Sequence, residues 1–311
     1  MTAPVPTVGI DLGGTKVYGV RVAGGEVVAE TKSKTPVQGG PLGVVDAIAA
    51  VVRELDPDGA APVGVGAPGV IDVERGVVRA APNLPGWMEP FGLGPALSEA
   101  LGGVRVVIDN DVNVGVLAEH RLGAARGADE VLGVFVGTGV GGGLVLGGSV
   151  RHGPTGMAGE IGHVVVHPEG RICGCGGRGH MEAYAGRAGM ERRARELEAS
   201  GRDTVLVDLA KAKRMTSSVW AKALAQSDAV AIELIDEGVD ALGVAIAGVV
   251  TVLDLQLVVV GGGLADRLGA AFVGRIEQAV RSRVFAGAKV RVVPAELGDR
   301  AGALGAALLV G

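Results

Sequence analysis

The sequence has few cysteines and few aromatic residues, and its positive charge is not concentrated anywhere. Its 311 residues include 2 Cys, 4 Phe, 2 Tyr and 2 Trp, and 29 Lys and Arg stand against 34 Asp and Glu. Two cysteines one residue apart, Cys173 and Cys175, cannot form a disulfide framework, which favours a reducing compartment and a metal-binding interpretation. Because no run of Lys or Arg supplies the charge that nucleic-acid binding needs, we expect no nucleic-acid partner.

Targeting and membrane-spanning segments are not expected either. The N-terminal residues have neither the basic nor the apolar region of a secretory signal, which predicts a cytoplasmic protein. Residues 131–150 carry no charge and are long enough to span a bilayer. Eight of these twenty residues are glycine, and each glycine inside a helix costs roughly 1 kcal/mol. We therefore predict two strands and a tight turn here, and no membrane partner.

Glycine is the abundant residue, with 55 in the chain, and it recurs where apolar strands end. Apolar strands at 8–12 and 17–22 flank Gly13 and Gly14, and a third strand follows at 27–31. A strand, a glycine turn and a second strand predict a β-hairpin. Because residues 131–150 repeat this plan, the sequence predicts two domains.

Hydrophobic periodicity predicts the other elements. Strands are expected at 63–67, 104–108, 255–260 and 289–293, and helices at 43–55, 93–101, 112–124, 267–283 and 301–310, with a mainly helical region over 183–250. A loop-rich insertion over 154–182 contains both cysteines.

The first glycine turn lies in the segment GIDLGGTK, residues 9–16. Backbone N–H groups of Gly13 and Gly14 can cradle phosphate oxygens, and Thr15 can donate to them beside Lys16. Asp11 can hold a hydrated Mg²⁺. The alternative is an ordinary hairpin turn, in which Gly-Gly is common.

The segment GTGVGGG, residues 137–143, matches the G-x-G-x-x-G pattern of dinucleotide-binding folds. That pattern must open a helix, whereas these glycines run into an apolar strand, so an NAD-dependent oxidoreductase is the least favoured alternative. A second phosphate-binding turn at Gly137, Thr138 and Gly139 agrees better with the context. A third turn, which includes Gly262 and Gly263, suits close approach of a nucleotide base or ribose.

Five separated motifs together resemble the ROK sugar kinases, and most of all their glucokinase-like members. They are DLGGTK, IDNDVN, GTGVGGG, GEIGH, and CGCGGRG followed by MEAYAG, and the resemblance covers residues 8–310. It implies an α/β, actin-like (hexokinase/RNase H-like) duplicated two-domain ATPase fold with an interdomain cleft. The expected domains are 1–111 plus 296–311, and 112–295 with a zinc-binding insertion at about 154–182. ATP with Mg²⁺ and a hexose are the implied ligands.

Asp111 is the expected catalytic residue. A sugar hydroxyl attacks the γ-phosphoryl group well only when a carboxylate accepts its proton, and the end of a strand is a suitable place for that carboxylate. The resemblance assigns this role to Asp111 and a sugar contact to Asn110, and Asn83 is also expected to bind substrate. The alternative for an Asn-Asp pair after a strand is capping of the following helix.

Glu160, His163 and Glu182 match the sugar-binding positions of the family. Each sugar hydroxyl is a donor that needs an acceptor once water is expelled, and these side chains can supply several. A lone Glu or His would otherwise be a solvated surface group.

A structural Zn²⁺ site is expected at His163, Cys173, Cys175 and His180. Two thiolates and two imidazoles complete a tetrahedral coordination. The family commonly has a third cysteine at the position of His180, so this chain departs from the usual pattern. Two free thiols and solvent-exposed histidines are the alternative.

The resemblance therefore implies an ATP-dependent hexokinase that phosphorylates the 6-hydroxyl, with glucose as the favoured substrate. Fructose, mannose, glucosamine, N-acetylmannosamine and N-acetylglucosamine remain alternatives, and polyphosphate remains an alternative donor. The family also contains sugar-responsive regulators with an N-terminal DNA-binding motif. Because only about seven residues precede the first strand, we favour a kinase, and a sugar-binding regulator without kinase activity is the alternative of a different class. A homodimer or homotetramer is expected from the resemblance alone.

Overall fold

The computed structural model describes residues 5–81, 84, 86–87 and 89–311. Asn83, expected to bind substrate, lies outside the described residues. The strands are β1 (Thr7–Leu12), β2 (Lys16–Ala23), β3 (Glu26–Lys34), β4 (Val63–Ala67), β5 (Val70–Asp72), β6 (Val77–Ala80), β7 (Val106–Asn110), β8 (Val131–Val136), β9 (Val140–Leu146), β10 (Ser149–Val150), β11 (Leu257–Gly261) and β12 (Arg291–Pro294).

The α-helices are α1 (Gly40–Leu55), α2 (Leu93–Ala100), α3 (Asp111–Leu122), α4 (Glu182–Ala185), α5 (Arg187–Ala199), α6 (Leu206–Ala210), α7 (Ser217–Ala225), α8 (Ala229–Leu253), α9 (Gly263–Arg281) and α10 (Ala301–Leu308). Short 3₁₀ helices span Ile161–His163 and Gly298–Arg300. None of the helices in the described part of the chain is both long and apolar enough to cross a membrane.

The chain divides into two compact units. The first unit consists of the residues up to Arg126 together with 150–158 and 299–311, and the second consists of 127–149 and 159–298. The domain ranges expected from the resemblance stay a prediction.

The first unit is built on a five-stranded sheet with the order β3-β2-β1-β4-β7. Strand β2 is antiparallel to β1 and β3, whereas β1, β4 and β7 run parallel. Apolar side chains of β1 and β4 are fully buried with those of α1 and α2, among them Ile10, Val65, Ile48 and Leu97. The carboxyl ends of three parallel strands therefore lie along one edge, and Asp11 and Asn110 lie there.

Glycine lets helix α10 contact this sheet directly. A Cβ atom on Gly64 would lie 1.7 Å from the carbonyl oxygen of Ala306, and one on Gly9 would lie 1.9 Å from that of Ala303. No side chain can be accommodated at such distances, so the small residues of α10 and the glycines of the strands are matched. Part of the high glycine content thus serves close packing.

The second unit is built on a five-stranded sheet with the order β10-β9-β8-β11-β12. Strands β8 and β9 are antiparallel, and β11 runs parallel to both β8 and β12. Large buried side chains of the helices, including Trp220 and Leu242, pack in one core with Val134 and Val260 of the strands. Taken in chain order, the strands occupy the same positions in this sheet as those of the first unit do in theirs.

Most predicted elements are confirmed to within a few residues. Residues 131–150 form the two expected strands, β8 and β9, with the glycines of 137–143 leading into a strand, and a short third strand, β10, that was not predicted. The hairpin of β5 and β6 was not predicted, because it consists of three and four residues beside the turn at Gly69. The helical region over 183–250 is divided into five helices.

Candidate active site

Asn110 and Asp111 lie at the junction of β7 and α3. The Asn110 side chain caps α3, because its Oδ1 accepts hydrogen bonds from the N–H groups of Val112 (2.9 Å) and Asn113 (3.2 Å). Its Nδ2 donates to the carbonyl oxygen of Gly69 at 3.0 Å. The capping alternative is therefore confirmed for Asn110, and the cap fixes Asp111 as the first residue of α3.

Asp109, one residue before Asn110, is 3% exposed. Its Oδ1 accepts from the Asn110 N–H at 2.6 Å and from Asn113 Nδ2 at 3.1 Å. Its Oδ2 lies 2.7 Å from Nε2 of His152. Asp109 and His152 are separated by 43 positions, so local sequence patterns do not predict that they pair.

The first glycine turn connects β1 to β2. Gly14 and Thr15 are exposed at its tip, and the Gly13 N–H closes the turn by donating to the Lys16 carbonyl oxygen at 2.9 Å. Lys16 Nζ lies 3.4 Å from Asp299. Burial raises the pKa of the Asp11 carboxyl from 3.8 to about 6, an effect that Lys16 opposes and Asp299 reinforces. A cation at this carboxylate would offset the cost of its burial.

We expect Asp11→Asn to stabilise the metal-free protein at neutral pH. Folding raises the pKa of Asp11, so the folded protein favours the protonated carboxyl. The stability that this side chain contributes is therefore fully present below about pH 4 and is lost as the pH rises through about 6. An amide has no such loss, so the variant should gain about 1–3 kcal/mol over the parent at about pH 7.5, and less at about pH 5. Urea unfolding in EDTA at both pH values measures this. An equal difference at the two values would contradict it.

The second glycine turn connects β8 to β9 and forms hydrogen bonds with residues of α5 and α4. The carbonyl oxygens of Gly137 and Thr138 accept from the N–H groups of Arg187 (3.2 Å) and Ala188 (2.9 Å). Arg187 Nη2 also donates to the Thr138 hydroxyl at 3.1 Å. A guanidinium therefore lies beside the turn, and burial lowers its pKa.

Gly139 in this turn lies against the carboxylate of Glu182. A Cβ atom on Gly139 would lie 2.1 Å from Glu182 Oε2. The same oxygen accepts from the Val140 N–H at 2.9 Å. Glu182 is the first residue of α4, which follows the two cysteines in the sequence. Its side chain thus joins α4 to the second glycine turn.

The third glycine turn joins β11 to α9. Gly262 precedes α9 with a φ of 87°, a conformation that favours glycine, and a Cβ atom there would lie 2.7 Å from the Val136 nitrogen. Val136 ends β8 directly before Gly137. Within the second unit, the structure therefore brings together the two turns that were predicted separately as nucleotide-binding.

Glu160 and His163 are also neighbours, as their spacing predicted. The 3₁₀ helix Ile161–His163 places Glu160 Oε2 3.7 Å from His163 Nε2, and both side chains are partly open to solvent. Glu182 Oε1 lies 3.3 Å from the Cys173 sulfur. These three of the residues expected to bind sugar therefore lie next to the metal-ligand candidates or among them.

His163, Cys173, Cys175 and His180 form one cluster. Their ligand atoms all lie within 4.8 Å of one another, and Cys175 Sγ lies 3.2 Å from His180 Nδ1. Isolated β-bridges between Val165 and His180 and between Ile172 and Arg178 bring these segments together. A donor set of two thiols and two imidazoles at such distances is suited to a tetrahedral Zn²⁺.

Nearly the whole chain is similar to one family of proteins. Residues 7–311 match the ROK family. The chain belongs to the ROK family, as the five motifs indicated.

Similarity to individual members extends over nearly the whole length of each protein. The chain is 35% identical to a glucokinase of Thermotoga maritima, covering 97% of this chain and 96% of the relative. It superimposes on a ROK hexokinase from Thermus thermophilus with a TM-score of 0.83, at 34% identity over 98% of this chain and 97% of that one. A ROK family glucokinase from Streptomyces griseus, whose structure contains glucose and AMPPNP, gives a TM-score of 0.82 at 32% identity over 98% and 99%.

Proposed function

We propose that this protein is an ATP-dependent hexokinase that transfers the γ-phosphoryl group to the 6-hydroxyl of glucose. The observation that carries this proposal is the end-to-end similarity to glucokinases, at 35% identity over 97% of the chain. Fold similarity alone does not define a reaction, so the residues at the site must supply the chemistry.

Asp111 accepts the proton of the attacking hydroxyl in this proposal. Asp111 is the first residue of a capped helix, so the cap holds its backbone at the end of β7. General-base assistance of this kind contributes roughly 10²- to 10⁴-fold to a rate. Asn110 is also proposed to contact the sugar, with the Nδ2 proton that does not bind Gly69.

The phosphates of ATP are assigned to two glycine turns, and the adenosine to the third. Gly13, Gly14 and Thr15 with Lys16, and Gly137, Thr138 and Gly139, present backbone N–H groups and hydroxyls suited to phosphate oxygens. At Gly262 and Gly263 the nucleoside would approach the backbone closely. Asp11 would hold Mg²⁺, which neutralises developing charge on the phosphates when it is bound.

The hexose hydroxyls are assigned to Glu160, His163 and Glu182. Carboxylates and an imidazole accept hydrogen bonds from sugar hydroxyls, so each group replaces a water that binding removes. Asn83 is included as a further sugar-binding residue from the resemblance.

We also propose that His163, Cys173, Cys175 and His180 hold a structural Zn²⁺. Four protein donors leave no open coordination position, so the ion serves folding of the insertion, and it would orient the His163 ring. Burial raises the pKa of the Cys173 thiol to about 12 in the metal-free protein.

The zinc content of the purified protein tests this site. We expect about one zinc per chain, retained in His180→Cys because thiolate is an equivalent tetrahedral ligand, and lost in Cys175→Ser. Elemental analysis measures the ion after dialysis against a weak chelator. Zinc retained in Cys175→Ser at the parental level would contradict the proposed ligand set.

The two units are proposed to be duplicated domains of an actin-like ATPase fold. Support comes from the identical positions that successive strands take in the two five-stranded sheets. A cytoplasmic homodimer or homotetramer is part of the same proposal, and light scattering measures the oligomeric state.

A coupled assay of ADP release tests the function. With ATP as donor, we expect glucose to give the highest kcat/KM among glucose, fructose, mannose, glucosamine and the two N-acetylated hexosamines. Polyphosphate yields no ADP, so it is compared by direct measurement of the sugar phosphate and should be a much poorer donor. A different best sugar would change the assigned substrate. Sugar binding without ADP release would favour the regulator alternative.

A further inference from the structure

A buried carboxylate next to the proposed catalytic residue needs a compensating partner. Asp109 is 3% exposed, and its Oδ1 is occupied by two neutral donors, the Asn110 N–H and Asn113 Nδ2. Neutral donors satisfy hydrogen bonds but leave the charge uncompensated, and a buried charge without a counter-charge is strongly destabilising. The other oxygen, Oδ2, must therefore meet a cationic or strongly donating group.

His152 is that group. Its Nε2 lies 2.7 Å from Asp109 Oδ2, and the side chain is 35% exposed. The hydrogen bond to Asp109 raises the pKa of His152 above its ordinary 6.5, which favours the imidazolium. The chain around His152 is ordered by its own contacts, since its carbonyl oxygen accepts from the Ala158 N–H at 3.0 Å.

The pair is connected to Asp111 through a short series of hydrogen bonds. Asp109 binds Asn113 and the backbone of Asn110, and the Asn110 side chain caps α3 and binds Gly69. Asp111 is the first residue of that helix. Any shift of Asp109 therefore moves both the cap and the residue that follows it.

We propose that His152 is a positioning residue for phosphoryl transfer, which holds the β7–α3 junction, and with it Asp111, by binding Asp109. The inference rests on the proposed function, because it assumes that Asp111 is the base. His152 acts through Asp109 and touches no reacting atom.

The test compares kcat and KM for His152→Ala and His152→Gln. Loss of a hydrogen bond to a buried charge lets the junction relax, so we expect His152→Ala to lower kcat about 10- to 30-fold with KM for ATP within about twofold. Glutamine places an amide Nε2 donor at a similar reach and should restore kcat to within about threefold of the parent. Arg151→Ala, at the exposed neighbouring position, is the control and should leave kcat unchanged.

A double-mutant cycle shows whether His152 acts through Asp109. In an Asp109→Asn background no buried charge needs compensation, so His152→Ala should lower kcat less than about threefold there. Equal losses in the two backgrounds would overturn the inference. So would an unchanged kcat in His152→Ala, even with a lower melting temperature, because only a structural role would then remain.

The assay also separates this inference from the function on which it rests. Suppose that the parent is active, that Asp111→Asn is inactive, and that His152→Ala has the parental kcat. Then the positioning role of His152 is wrong and the proposed function stands. If Asp111→Asn keeps its turnover, the assignment of the base fails whatever His152 does.

Discussion

Asp111→Asn should lower kcat by about three orders of magnitude while the protein stays folded. The amide has nearly the shape of the carboxylate but cannot accept the hydroxyl proton, and general-base assistance is worth roughly 10²–10⁴-fold. The cap of α3 comes from Asn110 and is unaffected. KM for ATP should change less than about threefold, because the nucleotide phosphates are assigned to other residues. Steady-state kinetics with glucose measure both constants.

A matched control for this variant is Asp208→Asn. Asp208 also lies in the first turn of a helix, α6, and it is exposed. Its substitution removes the same charge from the first turn of a helix outside the proposed site, and kcat should not change. A folded Asp111→Asn protein with near-parental kcat would show that another group accepts the proton.

The sequence predicted the parts of this site that depend on local structure. Glycine between two apolar strands indicates a turn whatever surrounds it, and the turns at Gly13 and Gly137 lie where they were expected. Spacing was equally informative for Glu160 and His163, because three residues cover about one short helical turn.

Contacts between segments that are distant in the sequence could not be predicted from local patterns. Asp109 and His152 are 43 residues apart, and Val140 and Glu182 are 42 apart. Nothing in local composition indicates which carboxylate meets which donor, because the pairing is set by how strands and loops pack. Arg187 was missed for the same reason, since its relation to Thr138 exists only once α5 packs against the turn.

These long-range contacts determine what a side chain at Gly139 would displace, namely the carboxylate of Glu182. Glu182 uses one carboxylate oxygen for the Val140 N–H at 2.9 Å and the other for Cys173 at 3.3 Å. The candidate phosphate turn and the candidate zinc cluster are therefore joined by a single side chain, and a change at the turn reaches the metal ligands.

Gly139→Ala should consequently lower kcat/KM for ATP by about 100-fold. The new methyl group would lie 2.1 Å from Glu182 Oε2, so the carboxylate must move, and losing its charged hydrogen bond to Val140 costs about 1.5–3 kcal/mol. Gly248→Ala is the matched control, because the same methyl group in α8 meets nothing within 4 Å and improves helix propensity by about 1 kcal/mol. It should raise the melting temperature and leave kcat/KM unchanged. Steady-state kinetics at varied ATP decide the matter, and a Gly139→Ala protein with parental kcat/KM would show that Glu182 does not hold this turn in its active form.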